Sequence, residues 1–386
     1  MEHFITKIQI EKLRHLENIE IELSEQSRRH LLVTGKNGSG KTSLLEALSK
    51  LLTAAVINPN RDSRKIFDTA RFLQEAANLG VKISFNFDGA IIDFFNRGNF
   101  VMAYFPAHRK TNIAIATGVE NVKLAANYAL DADPAKLLVK YMVHLKAQQS
   151  FANQENESQV EQNIQAWFNR FEAALGVLLE DSSVRMEFDY KHYNFLIHQA
   201  GRLPFNFNEL SDGYSSVIQI VSGLIMRMEQ NWLLKGTLSN YDIEGVALID
   251  ELETHLHIEL QKKILPFLVT FFPNIQFIVT THSPYILTSI SNATIFDLEK
   301  RVAFNDDMSF YSISDVAEGY FDAEDYSEQL AAKLKRYKEL VTAADLSDKE
   351  SAERAELRSD LKNIPGRLAP RVSADFLDLE LRRQNG

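Results

Sequence analysis

Residues 35 to 42 read Gly35-Lys36-Asn37-Gly38-Ser39-Gly40-Lys41-Thr42, which fills the pattern G-x-x-x-x-G-K-[ST] completely. Each residue type has a physical reason to be there. Gly35, Gly38 and Gly40 let the backbone curl until its N–H groups face phosphate oxygens. A helix opening directly after the loop adds partial positive charge at its N-terminus. Lys41 has the reach to meet β- and γ-phosphates, the Thr42 hydroxyl suits a Mg²⁺ ion, and Ser43 continues the same turn. Residues 35–43 are therefore a candidate ATP site, with ATP and Mg²⁺ as its cofactors.

Two further runs suit the same chemistry. Val246-Ala-Leu-Ile-Asp250-Glu251 is an apolar stretch ending in adjacent carboxyls. Asp250 is the candidate Mg²⁺ ligand, and Glu251 the candidate catalytic base for an attacking water. Ile278-Val-Thr-Thr-His282-Ser-Pro284 places a histidine just past another apolar run. His282 is the second candidate catalytic residue, by hydrogen bonding to the γ-phosphate or the water. Between these runs, Leu252-Glu-Thr-His-Leu-His257 holds two histidines without an evident third ligand. It reads instead as a segment leading into a helix, with Thr254 as a candidate N-cap.

These groups work only if strands and helices deliver them. Leu31 to Thr34 reads as a strand buried on both faces, feeding the loop, and Thr42 to Ala55 as the helix leaving it. Gly245–Ile249 and Ile275–Thr280 read as two more buried strands, with a helix over His257–Phe271 between them. Such strands place their carboxyl ends along one crevice. Phe4–Ile10, Ile19–Leu23, Val81–Phe87, Ile91–Phe95 and Phe100–Phe105 read as further strands. Asp88-Gly89 marks a hairpin between the third and fourth of these. Pro134–Gln149 and Gln159–Leu179 carry helical spacing, the latter with Trp167, Phe168, Phe171, Leu175 and Leu178 on one face. Two strands follow, at Val184–Tyr190 and Tyr193–His198, and then a helix over Tyr214–Glu229. The tail is charge-rich, with helical runs near 326–343, 347–362 and 371–383 broken by Pro365 and Gly366.

Composition narrows the class. With 45% hydrophobic and 24% charged residues the chain is an ordinary globular one. The absence of cysteine excludes a disulfide framework, thiolate-held zinc, iron–sulfur clusters and a thiol nucleophile. A net charge of −10 argues mildly against nucleic acid as the sole ligand. The first residues lack the basic and apolar regions of a signal peptide, and no apolar run reaches about 18 residues. A cytoplasmic chain without membrane contact is expected.

Taken together, the phosphate loop, the acidic strand end and His282 resemble the ABC-type ATPase family. The resemblance is to its non-transporter branch: SMC proteins, RecF, OLD proteins and the ATPases of bacterial phage-defence systems such as Septu and PARIS. Leu210-Ser211-Asp212-Gly213-Tyr214 looks like that family's signature, Leu-Ser-Gly-Gly-Gln, departing at Asp212 and Tyr214; read alone it is a cap and turn. In the family, the signature of one subunit reaches the γ-phosphate bound by the other. The resemblance thus implies that Ser211, Asp212 and Gly213 act in trans within a head-to-tail homodimer or a higher even-numbered oligomer. The family's glutamine after the strand leading into its helical lobe is missing; Tyr104-Phe-Pro-Ala-His108-Arg109 stands there instead. His108 or Arg109 is the candidate replacement, touching Mg²⁺-bound water or phosphate, Arg109 in the manner of an arginine finger. Equally, Arg109 caps a strand end by pairing with an acidic neighbour.

The resemblance implies an α/β fold: an ABC-ATPase head with a mixed sheet around the P-loop core, an antiparallel β subdomain, an inserted helical lobe and a helical C-terminal tail. The expected divisions are 1–109, 110–209, 210–298 and 299–386. About 100 residues between Arg109 and Leu210 is too little for long coiled-coil arms. The implied activity is conversion of ATP and water to ADP and phosphate. The implied role is a nucleotide-dependent sensor or regulator of a separate effector protein, a nuclease, in prokaryotic phage defence. The alternative is a RecF-like clamp that binds nucleic acid directly, with Arg61, Arg64, Lys65 and Arg71 as the basic candidates and a solvated loop as their plainer reading. A built-in nuclease is not expected: Asp315, Glu318 and Asp322 give only a faint carboxylate pattern. The tail reads as a docking element or as a helical hairpin covering a sheet edge.

Overall fold

The computed structural model describes residues 2–56, 69–86, 91–109, 112–122, 124–125, 128–235, 243–304, 308, 328–343, 345–363 and 376–381. The chain divides into two compact units, Met1–Phe310 and Tyr311–Gly386. The first begins with an antiparallel pair, β1 (Ile5–Leu13) and β2 (Leu16–Glu22). Alternation turns Ile8, Ile10, Ile19 and Ile21 into the core. β3 (His30–Thr34) follows, buried at every residue, and delivers the phosphate loop to α1 (Lys41–Val56). After α2 (Thr69–Leu79), β4 (Val81–Phe85) returns to pair with β1, giving the small sheet β2-β1-β4.

Ile91–Phe95, expected as a strand, is a helix instead: α3 (Ile91–Asn96). Ile91 and Phe95, both 5% exposed, are the inward pair. Residues four apart share a face in a helix and in a strand alike, so a run this short fits both periods. The expected Asp88-Gly89 turn lies outside the described residues.

The large sheet is built from β5 (Phe100–Phe105), β8 (Glu244–Ile249), β9 (Ile275–Thr280) and β10 (Ala293–Asp297), all parallel to β3. A short antiparallel strand, β11 (Val302–Phe304), closes the edge of the order β11-β10-β3-β9-β8-β5. β9 therefore lies between the strand of the phosphate loop and the strand of the acidic end. Those two strands are two spacings, about 10 Å, apart. One side chain pins the two sheets together. The Gln276 amide of β9 accepts from the Ile5 N–H (2.8 Å) and donates to the carbonyls of Ile5 (2.9 Å) and Arg29 (2.8 Å).

The segment between β5 and β8 forms a lobe of α4 (Leu138–Gln154), α5 (Ser158–Leu178), the hairpin β6 (Arg185–Asp189) and β7 (Asn194–His198), and α6 (Asp212–Lys235). Trp167, Phe168, Phe171, Leu175 and Leu178 are all buried, as their spacing requires. α7 (Ile258–Phe271) and the short α8 (Pro284–Leu287) complete the unit. The second unit has its own core. Tyr337 on α9 (Glu328–Thr342) packs with Leu361 on α10 (Asp348–Lys362) and with Phe376 and Leu379. Among the described residues no helix is long and apolar enough to cross a membrane.

A buried carboxyl ties three helices of the lobe. Glu229 on α6 is 0% exposed; it accepts from the Tyr141 hydroxyl of α4 (2.8 Å) and the Trp167 indole N–H of α5 (2.6 Å). Burial pushes its pKa up to about 7, against the pull of those two bonds and of Arg170. An unfolded glutamate loses its proton near pH 4.5, so between there and pH 7 the folded state alone keeps one. Stability falls across that window and stays reduced above it. Glu229→Gln, which mimics the protonated form, should raise the melting temperature by about 3 °C or more at pH 8 and by less at pH 5. Thermal melts at the two pH values check this; an equal gain at both would overturn it.

Candidate nucleotide site

The phosphate loop is shaped by its glycines. Gly35, Gly38 and Gly40 hold φ of 134°, 83° and 99°, values that L side chains resist. Lys41 is 6% exposed and bends back over the loop, donating to the carbonyls of Gly35 (2.8 Å) and Lys36 (3.1 Å). Burial lowers its pKa; the nearby carboxyls of Glu251, Glu253, Asp250 and Asp297 act the other way. A cavity of about 300 Å³ opens on Asn37, Gly38, Lys41, Thr42 and Ser43, and Glu251 lines the same cavity. A second, of about 380 Å³, adds Lys36 and Ser39. Lys36 is held there by Glu299, Nζ to Oε1 at 3.0 Å.

The acidic end of β8 is gripped from both neighbouring strands. On the β9 side, the Thr280 hydroxyl accepts from the Glu251 N–H (2.7 Å) and donates to Asp250 Oδ1 (2.5 Å). On the β5 side, the Asp250 N–H donates to the Phe105 carbonyl (2.9 Å). Arg109, just past β5 and 4% exposed, donates from one terminal nitrogen to the carbonyls of Pro106 (2.8 Å) and Asp250. Its other terminal nitrogen reaches the Glu251 carbonyl (3.0 Å), and Nε reaches Ser216 Oγ on α6 (2.9 Å). Burial lowers its pKa to about 10, opposed by Asp250, Glu253 and Glu251. The structure thus turns Arg109 onto backbone carbonyls rather than toward the loop. Its neighbour His108 is exposed, and neither residue lines the cavities of the phosphate loop.

His282 follows β9, next to Lys41. Burial, and then the Lys41 charge, lower its pKa, while Glu253 and Glu251 oppose them. Glu253 Oε1 accepts from the His282 backbone N–H (2.5 Å). Around this centre four buried atoms have no partner among the described residues: Thr34 Oγ1, Ser39 Oγ, Glu253 Oε2 and His282 Nε2. Buried polar atoms are rarely left so unless a ligand or water serves them. They therefore fit a site built for a polyphosphate with its hydrated cation. Among the described residues no three His, Asp or Glu side chains cluster as a metal cage. Mg²⁺ takes one or two protein ligands and completes its shell with phosphate oxygens and water. Thr42 and Asp250 are the residues present to supply them.

Ser211 and Gly213 line a separate cavity of about 160 Å³, with Tyr214, His255 and His257. It shares no residue with the two on the loop. Asp212 and Gly213 already belong to α6. A Cβ on Gly213 would sit 2.5 Å from the His255 carbonyl oxygen, so only glycine lets the helix approach this closely. Thr254, expected as an N-cap, is not one: α7 starts after His257, and the Thr254 hydroxyl donates to Glu251 Oε2 (3.3 Å). Arg61, Arg64, Lys65, Asp315, Glu318 and Asp322 lie outside the described residues, as does the side chain of Arg71. Three residues of the site were not anticipated. Glu253 had a signal, a third carboxyl two positions after Glu251; Arg14 and His15, which line the first cavity from the β1–β2 turn, had none.

Because Lys41 is the cation that the loop itself encloses, Lys41→Ala should remove detectable ATP binding in a fluorescence titration. Unchanged affinity would overturn the assignment of the loop.

Residues 31–288 match the family described as AAA domain, putative AbiEii toxin, Type IV TA system. The Septu protein PtuA of Bacillus mycoides (strain KBAB4) is 25% identical over 316 residues, covering 78% of this chain and 42% of that protein. The Retron Vc95 probable ATPase of Vibrio cholerae serotype O1 biovar El Tor is 32% identical over 160 residues, 39% of this chain and 30% of that protein. The chain spans less than half the length of either relative. Among solved structures, an SMC head bound to the C-winged helix domain of ScpA aligns with a TM-score of 0.42 and 13% identity, over 76% of this chain and 93% of that one. The family match runs from β3 to just past α8. It takes in the phosphate loop, Arg109, the acidic strand end and His282, and the chain belongs to this family of AAA ATPase domains.

Proposed function

We propose that this chain binds ATP on residues 35–43 and hydrolyses it to ADP and phosphate, as an ABC-type ATPase. The observation that carries the reading is the single cavity lined by Lys41, Thr42 and Glu251. Lys41 and the loop N–H groups bind and orient the β- and γ-phosphates. Glu251 accepts the proton of the attacking water, and His282 hydrogen-bonds the γ-phosphate. Thr42 and Asp250 would hold Mg²⁺, which when bound would neutralise the phosphate charge.

The signature supports a second step. Ser211, Asp212 and Gly213 belong to a segment whose cavity is separate from the loop's within one chain. In the proposed homodimer they complete the site of the partner copy, so two ATP molecules lie between two heads. Contacts to the γ-phosphate across that interface exist only before hydrolysis, which makes dimer closure a readout of nucleotide state. The output is control of a separate effector protein, a nuclease, in phage defence in the prokaryotic cytoplasm. The Septu and retron relatives support that setting.

Glu251→Gln should bind ATP, lose about 100-fold or more in turnover and accumulate as a dimer when sized in ATP and Mg²⁺. Turnover at the parental rate would remove Glu251 from the role of base. Action in trans is checked by mixing Ser211→Arg subunits with Lys41→Ala subunits. Each mixed dimer keeps one site with an intact loop opposite an intact signature. Confirmed heterodimers should recover activity that neither variant shows alone; none recovered would overturn the trans arrangement.

A further inference from the structure

The proposed reaction uses the first two carboxyls after β8 and leaves the third, Glu253, without a task. The turn that carries it is fixed by its backbone. Leu252 donates its N–H to the Thr280 carbonyl (3.2 Å), Thr254 to the Glu251 carbonyl (3.0 Å) and Leu256 to the Glu253 carbonyl (2.9 Å). Leu252 is 1% exposed and anchors the turn inward. A carboxyl needed only to close such a turn finds a local donor, as Glu251 does in Thr254. Glu253 instead reaches the segment beyond β9.

That segment has three residues to hold, because β9 ends at Thr280 and α8 starts at Pro284. Its backbone N–H groups can be accounted for singly. Thr281 donates to the Val33 carbonyl of β3 (3.0 Å), and Ser283 donates to Thr281 Oγ1 (2.9 Å). The middle one, His282, donates to Glu253 Oε1 (2.5 Å). A buried N–H left without an acceptor is costly, and a carboxyl acceptor makes a bond roughly twice as strong as a neutral one. The other ends of both residues, Glu253 Oε2 and His282 Nε2, are buried and have no partner among the described residues. The Glu253 charge also raises the proton affinity of Lys41, Arg109 and His282, so it lies close to all three side chains.

We propose that Glu253 is a positioning residue for His282: by accepting the backbone N–H, it fixes the post-β9 segment so that the imidazole is held at the phosphate loop. This rests on the reading of His282 as a ligand of the γ-phosphate. The residue type follows from the job, since a side-chain oxygen is needed at that distance and the charge only strengthens the bond.

The test compares Glu253→Ala and Glu253→Gln in the full chain, with kcat and KM for Mg²⁺–ATP and hydrogen exchange at the His282 amide from overlapping peptides. Glu253→Ala should lower kcat by about 10- to 100-fold with KM moved less than about 3-fold, because misplacing a reacting group costs rate rather than binding. It should also speed exchange at His282. Glu253→Gln keeps an acceptor oxygen, so kcat should stay within about 5-fold of the parent and the amide should stay protected. In a His282→Ala background, Glu253→Ala should cost less than about 2-fold more, as expected for two residues acting as one unit. Three results would overturn the proposal: a Glu253→Ala enzyme at the parental rate, additive losses with His282→Ala, or a Gln variant as impaired as Ala while its His282 amide stays protected. If Glu253→Ala does not fold, the Gln variant decides, by retained or lost rate and protection. If the parent itself hydrolyses no ATP, the ATPase reading fails, and exchange alone then judges Glu253. Faster exchange in Ala but not in Gln upholds the anchor, and unchanged exchange in Ala sinks it.

Discussion

The Thr280 hydroxyl is the interaction on which the centre depends. It accepts from the Glu251 N–H and donates to Asp250 Oδ1, so one oxygen sets both the backbone of the first carboxylate residue's successor and the side chain of Asp250 itself. It can do so only because β9 lies between β3 and β8. Were the loop strand and the acidic strand adjacent, no strand end would remain to carry Thr280 and His282 into the gap. Glu251 needs the help, since its φ of 45° is in the left-handed region. For a residue other than glycine that costs on the order of 1 kcal/mol or more and persists where the surroundings over-determine it. Thr280 on the N–H side and Arg109 on the carbonyl side provide that determination.

Buried arginines play a consistent part. Arg109 spends its donors on carbonyls of three residues and on Ser216, joining β5, the end of β8 and α6. Arg227, farther along α6 and 4% exposed, does the same for the segment before α4, donating to the carbonyls of Ala129, Leu130 and Ala132. In both cases burial lowers the pKa to about 10, which leaves the charge in place at neutral pH. A guanidinium offers five donors in a fixed fork, so a single side chain can satisfy several carbonyls that irregular loops would otherwise bury unpaired. Glu229 completes the pattern with the opposite polarity, taking donors from α4 and α5. α6 is thereby a hub: its first turn carries Gly213 against the post-β8 loop, Ser216 meets Arg109, and Arg227 and Glu229 bind the lobe.

What was legible in the sequence follows the range of the interactions. The loop, the acidic strand end and the buried strands were readable because each is a contiguous string whose chemistry or burial is complete within about ten residues. α3 was misread because its few residues satisfy two periods at once. Arg109 was visible as a residue but its destination was not, since Ser216 is 107 positions away and the Asp250 and Glu251 carbonyls 141 and 142. Glu253 stood in plain view beside Glu251, yet its partner lies 29 residues on, beyond a whole helix and strand. Arg14 and His15 enter the cavity only because the small sheet brings the β1–β2 turn there, and nothing in their own spacing announces it.

The Gln276 amide has a mechanical consequence. β9 is fastened at its near end to β1 and to Arg29 through that side chain, and at its far end it holds Asp250, Glu251 and the His282 segment. β1 in turn runs into the turn that carries Arg14 and His15 to the opposite wall of the cavity. β9 and β1 are therefore joined across the two sheets at their near ends, with Gln276 as the rivet. The strand that carries Thr280 toward the acidic pair and the strand that leads to Arg14 and His15 thus share one anchor point, and a change at Gln276 reaches both sides of the cavity through it.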